Sequence, residues 1–183
     1  MFRKATTLLA SASIVVGSMV FGAQAVNESS KIVFTATQSE VAVDGGFDKF
    51  AADVVFDPAE PAAGKVKVVI NLGSVATGSS EADDLLKSAD FFDVAHFPQA
   101  TFVSTTIGAK DAGHYRAVGQ FTLKGHSSAI VVPFTAHSEG AGLRIEGSVT
   151  VSRLAYHVGE GQWADTGTLA DPVQIHFSLY VPK

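Results

Sequence analysis

Apolar and polar residues alternate with a period of two along most of the chain, a repeat that suits extended strands and not helices. Lys31 to Ala36 sets Ile32, Phe34 and Ala36 against Lys31, Val33 and Thr35 and predicts a first strand. Phe47 to Asp57 alternates Phe50, Ala52, Val54 and Phe56 with Lys49, Ala51, Asp53 and Val55. Lys65 to Leu72 does the same with Val66, Val68 and Ile70. The pattern resumes over Ala100–Ile107, His114–Lys124, Ala129–Ser138, Leu143–Ser152 and Val173–Val181, which makes eight predicted strands. Asp44-Gly45-Gly46, Asp57 to Gly64, Asp111 to Gly113, Gly125 to Ser128 and Gly140 to Gly142 carry turn residues between them. Short turns between consecutive strands imply antiparallel neighbours.

One stretch breaks the alternation. Glu81 to Lys87 has helix formers, acidic residues in its first turn and Lys87 near its last, as a helix dipole favours. Phe91, Phe92, Val94 and Phe97 follow closely, and Pro98 then directs the chain into an extended segment. The segment reads as a short helical plug with an aromatic underside, placed between the third and fourth strands. It serves either an ordinary core or the open end of a barrel. Eight strands with one apolar face close into a barrel, filled or hollow, or pack as a two-sheet sandwich.

The first 25 residues stand apart. Arg3 and Lys4 precede the uncharged apolar run Leu8–Gly22, and Ala23-Gln24-Ala25 is a small-x-small cleavage site. That is the pattern of a secretory signal peptide, and the apolar run is short for a bilayer span. The expected domain is therefore 26–183, exported to the periplasm or secreted. The leader holds two of the 13 basic residues and no acidic one, leaving 11 basic against 18 acidic, a formal charge of −7. Such a balance disfavours nucleic acid and anionic bilayers as partners. There is no cysteine, so stability rests on packing and sheet hydrogen bonds despite export.

Several segments now resemble a known family: Phe56-Asp-Pro-Ala-Glu-Pro, Ser74-Val-Ala-Thr-Gly78, Lys87-Ser-Ala-Asp-Phe-Phe-Asp-Val94 and Phe97-Pro-Gln-Ala-Thr-Phe102. Gly119-Gln-Phe-Thr-Leu-Lys-Gly125 and Gly161-Gln-Trp-Ala-Asp165 join them, so the likeness spans Ile32 to Leu179. In that order they are similar to the YceI-like family of exported lipid-binding proteins. The resemblance implies an all-β, eight-stranded antiparallel lipocalin-like barrel with one short helix, whose apolar tunnel takes a long-chain isoprenoid or fatty amphiphile. Where relatives commonly carry Arg and His, this chain has Ala82 and Leu85, and Lys87 stands for an Arg. Those departures imply a neutral or amide headgroup.

With the strands one-sided, the expected lining is Phe34, Phe50, Val54, Phe56, Ile70 and Phe102, continued by Phe121, Val132, Phe134, Ile145, Val149, Ile175 and Phe177. Phe91, Phe92 and Phe97 are the expected lid. Trp163, in a glycine-rich loop, is either an anchor for that loop or a rim aromatic at the tunnel mouth. No cofactor, metal or catalytic residue is expected. The six histidines show no metal-like local spacing, and there is no Gly-x-Ser-x-Gly elbow. Glu81, Asp83 and Asp84 read as helix charge compensation, and Asn27-Glu-Ser29 as a bare glycosylation pattern.

Two other readings remain. An outer-membrane barrel would turn the apolar faces to lipid and Lys67, Arg144 and Glu146 into a lumen. An enzyme would use His96 or His157 as a base. A homodimer is compatible with all three.

Overall fold

The computed structural model describes residues 29–182, so the predicted leader and Asn27 lie outside the described residues. The strands are β1 (Lys31–Gln38), β2 (Val41–Phe47), β3 (Phe50–Val55), β4 (Lys65–Asn71) and β5 (Val75–Ala76). Helix α1 (Ser80–Lys87) intervenes, and β6 (Gln99–Asp111), β7 (His114–Leu123), β8 (His126–Glu139), β9 (Gly142–Ser152) and β10 (Pro172–Pro182) follow. They form one sheet in the order β3-β4-β6-β7-β8-β9-β10-β1-β2-β5, antiparallel throughout.

Among the described residues ten strands stand where eight were expected, and the difference arises at one corner of the sheet. The expected strand over Phe47–Asp57 is the second half of a longer one that bends at Asp48 and Lys49, splitting it into β2 and β3. Because β2 and β3 are consecutive in the chain and lie at opposite ends of the sheet order, the bent strand brings the curled sheet back on itself. Backbone bonds from Asp48 N to the Ser74 carbonyl (3.1 Å) and from Asn71 N to the Lys49 carbonyl (2.9 Å) tie this corner down. The two-residue β5 adds to the edge of β2.

Asp44-Gly45-Gly46 is strand, not turn: Gly45 pairs with Phe34 and Gly46 with Val33. The glycine makes room for the Phe34 ring, into which a Cβ on Gly45 would run. Ser39 and Glu40 make the reversal instead, at φ of 48° and 65°. The expected turn at Gly125–Ser128 is likewise shorter. Lys124 and Gly125, at φ of 48° and 77°, form a two-residue reversal of the kind that matches strand twist, and β8 starts at His126.

The helix forms as expected. The Ser79 hydroxyl accepts from Ala82 N at 3.4 Å. Asp83 accepts from Thr77 N at 2.8 Å and from the Thr77 hydroxyl at 2.7 Å, so its carboxylate fastens α1 to the preceding turn. The apolar faces of the strands converge on two hydrophobic clusters, one beneath α1 around Phe34, Leu72 and Phe92, the other around Ile107, Val132 and Phe134.

That direction of burial overturns the outer-membrane reading. Lys67 and Glu146 are exposed on the outer face rather than in a lumen. Arg144, also expected on the polar face, is buried, donating to Glu139 from Nε at 2.8 Å and to the Ser29 carbonyl at 2.9 Å. Among the described residues no helix is long and apolar enough to cross a membrane.

Candidate functional site

Packing leaves two hollows inside the sheet. The larger, about 180 Å³, lies under α1 and is walled by strand residues such as Phe34, Ile70 and Ile175, by Leu85 and Leu86 of the helix, and by Phe92. The second, about 100 Å³, lies among Val54, Phe102, Val132, Phe134, Ile145 and Phe177. Strand alternation explains both, because every second side chain of each strand points inward.

Most of the expected lining residues come together here. Phe34, Phe91, Phe92 and Trp163 border the larger hollow. Val54, Phe56, Phe102, Val132, Phe134 and Ile145 border the smaller, with Val149 and Phe177. Ile70, Phe121 and Ile175 touch both. Phe50 and Phe97 line neither. Phe50 is half-buried and packs against both clusters from β3. Phe97, expected in the lid, turns instead onto the reversal after β7, where a Cβ on Gly125 would stand 2.8 Å from its ring. Pro98 sends the chain into β6 one residue later, and this fixes the ring outside the cavity.

Trp163 borders the larger hollow, and its ring meets Phe91 edge-on, with centroids 5.5 Å apart. Its indole N–H is buried and meets no hydrogen-bond acceptor among the described residues.

Polar groups at this site are few, and the principal one escapes a sequence reading. Arg153, at the end of β9, is 3% exposed and borders the larger hollow. It donates from Nε to the Ala170 carbonyl (3.0 Å) and from Nη1 to those of Val158 (2.9 Å) and Gly159 (2.8 Å). Nη2 reaches Trp163 (2.8 Å) and Leu169 (2.6 Å). Burial pushes the guanidinium below its ordinary pKa, opposed by the charge of Asp171. One buried cation thus organises the whole loop from 154 to 170 that covers this side of the cavity. Its donors are all spent on carbonyls, so its role is to shape the wall.

Thr77 and Gln38 are the other polar side chains at the larger hollow. Gln38 is exposed at the end of β1, which places the hollow's opening there. Ala82, with Leu85 and Leu86 three and four residues further along α1, also borders the hollow. These three were not among the expected lining residues, although their helical spacing could have marked them; nothing local to Arg153 or Gln38 marks them as cavity residues.

The two histidines considered as bases lie elsewhere. His96 is exposed and held by Asp93 at 2.8 Å, and His157 donates to Glu160 at 2.7 Å while stacking on His126. Neither borders a hollow. Among the described residues no cluster of His, Cys, Asp and Glu is arranged to hold a metal ion.

An antiparallel β sheet curled around an apolar interior and closed by one helix is the architecture of lipocalin-like binding proteins. Within that class the profile of the YceI-like domain matches residues 24–181, and the chain belongs to this family.

UPF0312 proteins are similar over part of the sequence. That of Yersinia enterocolitica is 44% identical over 98 residues, 54% of this chain and 48% of the relative. That of Shewanella baltica is 39% identical over 100 residues, 55% of this chain and 51% of the relative. The chain spans about half the length of the curated relatives it matches.

Among solved structures, BcnA of Burkholderia cenocepacia superposes with a TM-score of 0.81 at 38% identity, covering 83% of this chain and 96% of that one. A polyisoprenoid binding domain from Saccharophagus degradans shares the fold at 16% identity, with a TM-score of 0.67, covering 84% and 94%.

Proposed function

We propose that the protein is an exported, non-catalytic carrier that sequesters a long-chain isoprenoid or fatty amphiphile. The observation that carries this reading is the convergence of inward-facing apolar side chains from β1, β4, β7 and β10 on a hollow that reaches solvent beside Gln38. Burial supplies the affinity: each methylene moved out of water gains about 0.8 kcal/mol, so a chain binds with few polar contacts. The polyisoprenoid binding of the Saccharophagus degradans domain, which shares the fold, supports the same ligand class. Ala82 and Leu85 present hydrocarbon to the larger hollow, which favours a neutral or amide head over a charged one. The leader pattern at residues 1–25 directs the carrier to the periplasm.

Native mass spectrometry and lipid extraction of protein purified from its own cells test this. A co-purifying amphiphile with an uncharged head is the expected result. A clean spectrum of the bare chain, with no uptake of added fatty chains, overturns the proposal.

A further inference from the structure

Strands β8 and β9 separate partway along their length. Their pairing ends at Phe134 and Gly147, although β8 reaches back to His126 and β9 runs on to Ser152. Both free stretches stay anchored on their far sides, β8 to β7 and β9 to β10. Pro133 supplies the reason. Its carbonyl faces β9, where a Cβ on Gly147 would run into it, and a strand residue turns its N–H and C=O the same way. Proline has no N–H, so the ladder loses its next donor at this point.

The split lies over the smaller hollow. Along the inner faces Val132, Phe134, Ile145 and Val151 are buried, but Ile130 and Val149, on opposite banks, are only half-buried. Both border that hollow, as does Val132. Outside, Val131 stands 54% exposed, so the β8 bank is apolar from rim to interior. Continuing the register past Gly147 sets Val132 opposite Val149 and Val131 opposite Thr150. The end beyond is closed. Tyr156 hydrogen-bonds Ser128 and meets Phe121 edge-on, and Ala155 N donates to the Ser152 hydroxyl at 3.1 Å.

Resting on the carrier reading, we infer that the split between β8 and β9 is a side portal through which the guest's chain enters and leaves the smaller hollow. Parting two paired strands costs about 1 kcal/mol for each ladder bond lost, whereas widening this stretch breaks none. A hydrocarbon crossing it meets Ile130 and Val132 on one bank and Val149 on the other. The larger hollow lies alongside, since the two share Ile32, Ile70, Phe121 and Ile175. A chain admitted at the side therefore continues from one into the other.

Tying the two banks together tests this. The chain has no cysteine, so Val131→Cys combined with Thr150→Cys puts one thiol on each bank and none elsewhere. Both positions are exposed on the outer face and border neither hollow. A reducible bis-thiosulfonate reagent reaching about 10 Å, two strand spacings, bridges them. Stopped-flow fluorescence then follows uptake and release of the dansyl amide of dodecylamine, an uncharged amphiphile. Bridging is expected to slow association and dissociation alike, by at least about tenfold with Kd unchanged, and reductant restores both rates. Ile130→Trp, which needs no reagent, fills the gap from β8 and is expected to slow association by at least about tenfold. Wild-type rates in the bridged protein, or in a folded Ile130→Trp protein, overturn the portal and leave the carrier reading intact, because the probe still binds. Absence of probe uptake by the wild type overturns both.

Discussion

Arg153 donates from Nη2 to the main-chain carbonyl of Trp163 at 2.8 Å, so the charge at the end of β9 holds the aromatic residue of the covering loop by its backbone. The same guanidinium binds four other carbonyls of that loop, and no carboxylate is hydrogen-bonded to it among the described residues. Replacing Arg153 by Met therefore orphans several buried acceptors at once. The expected cost is on the order of 3 kcal/mol or more in urea unfolding, since each buried group left without a partner costs about 1–3 kcal/mol. Arg153→Lys should recover only part of it, because three donors cannot serve five bonds. A loss below about 1 kcal/mol for the Met variant would show that the loop is held by other means.

Acid should loosen the neighbouring part of this loop. The hydrogen bond from His157 holds the Glu160 carboxyl below its ordinary pKa, with Lys124 assisting at 3.6 Å. A depressed carboxylate contributes stability that is fully present above its unfolded value and is lost as pH falls through the lowered folded one. The amide protection factors of Val158 to Trp163, the intrinsic exchange rate at each pH divided by the observed one, are thus expected to fall as pH drops below the ordinary carboxylate range. Glu160→Gln should remove that acid dependence. Protection factors that stay flat on acidification in the wild type would refute the assignment.

Alkali should reveal a different group. Tyr156 is 2% exposed, and burial raises its phenol above the ordinary value of 10.0. A phenol that keeps its proton better when folded contributes stability that is present below the unfolded pKa and lost as pH rises through the folded one. Absorbance titration of the three tyrosines should show a late step that coincides with alkaline unfolding. Tyr156→Phe abolishes that step. Ionisation of Tyr156 at its ordinary value of 10.0, with the fold intact, contradicts it.

Much of this architecture was legible from period-two alternation alone, and the reasons for the exceptions are specific. Strand faces and the helix follow from local spacing, which is why Phe34, Phe121, Phe134 and Ile145 fall inside as expected. The bend at Asp48 and Lys49 depends on a sheet curling back to meet itself, which no window of neighbouring residues contains. Gly45 carries the same signal whether it turns the chain or yields to a ring on the next strand, and only the pairing with Phe34 decides. Arg153 looks like any strand-end cation in sequence. Its five acceptors lie five to 17 residues away and meet it only once the loop has folded over.

Phe92 and Phe97 lie five residues apart and looked equivalent as lid residues, yet their environments separate them. Phe92 is 8% exposed, borders the larger hollow and meets Phe47 with ring centroids 6.0 Å apart. Phe97 is half-buried over Gly125 and borders neither hollow. Phe92→Ala should therefore cost about 3–5 kcal/mol in stability and enlarge the site, shifting alkyl-chain affinity with it. Phe97→Ala loses part of one ring contact, about 1–2 kcal/mol, because the ring is not fully enclosed. Its affinity for dodecanol should match the wild type. Paired denaturation and binding measurements on the two variants distinguish the roles: equal losses of dodecanol affinity in both would return Phe97 to the lid.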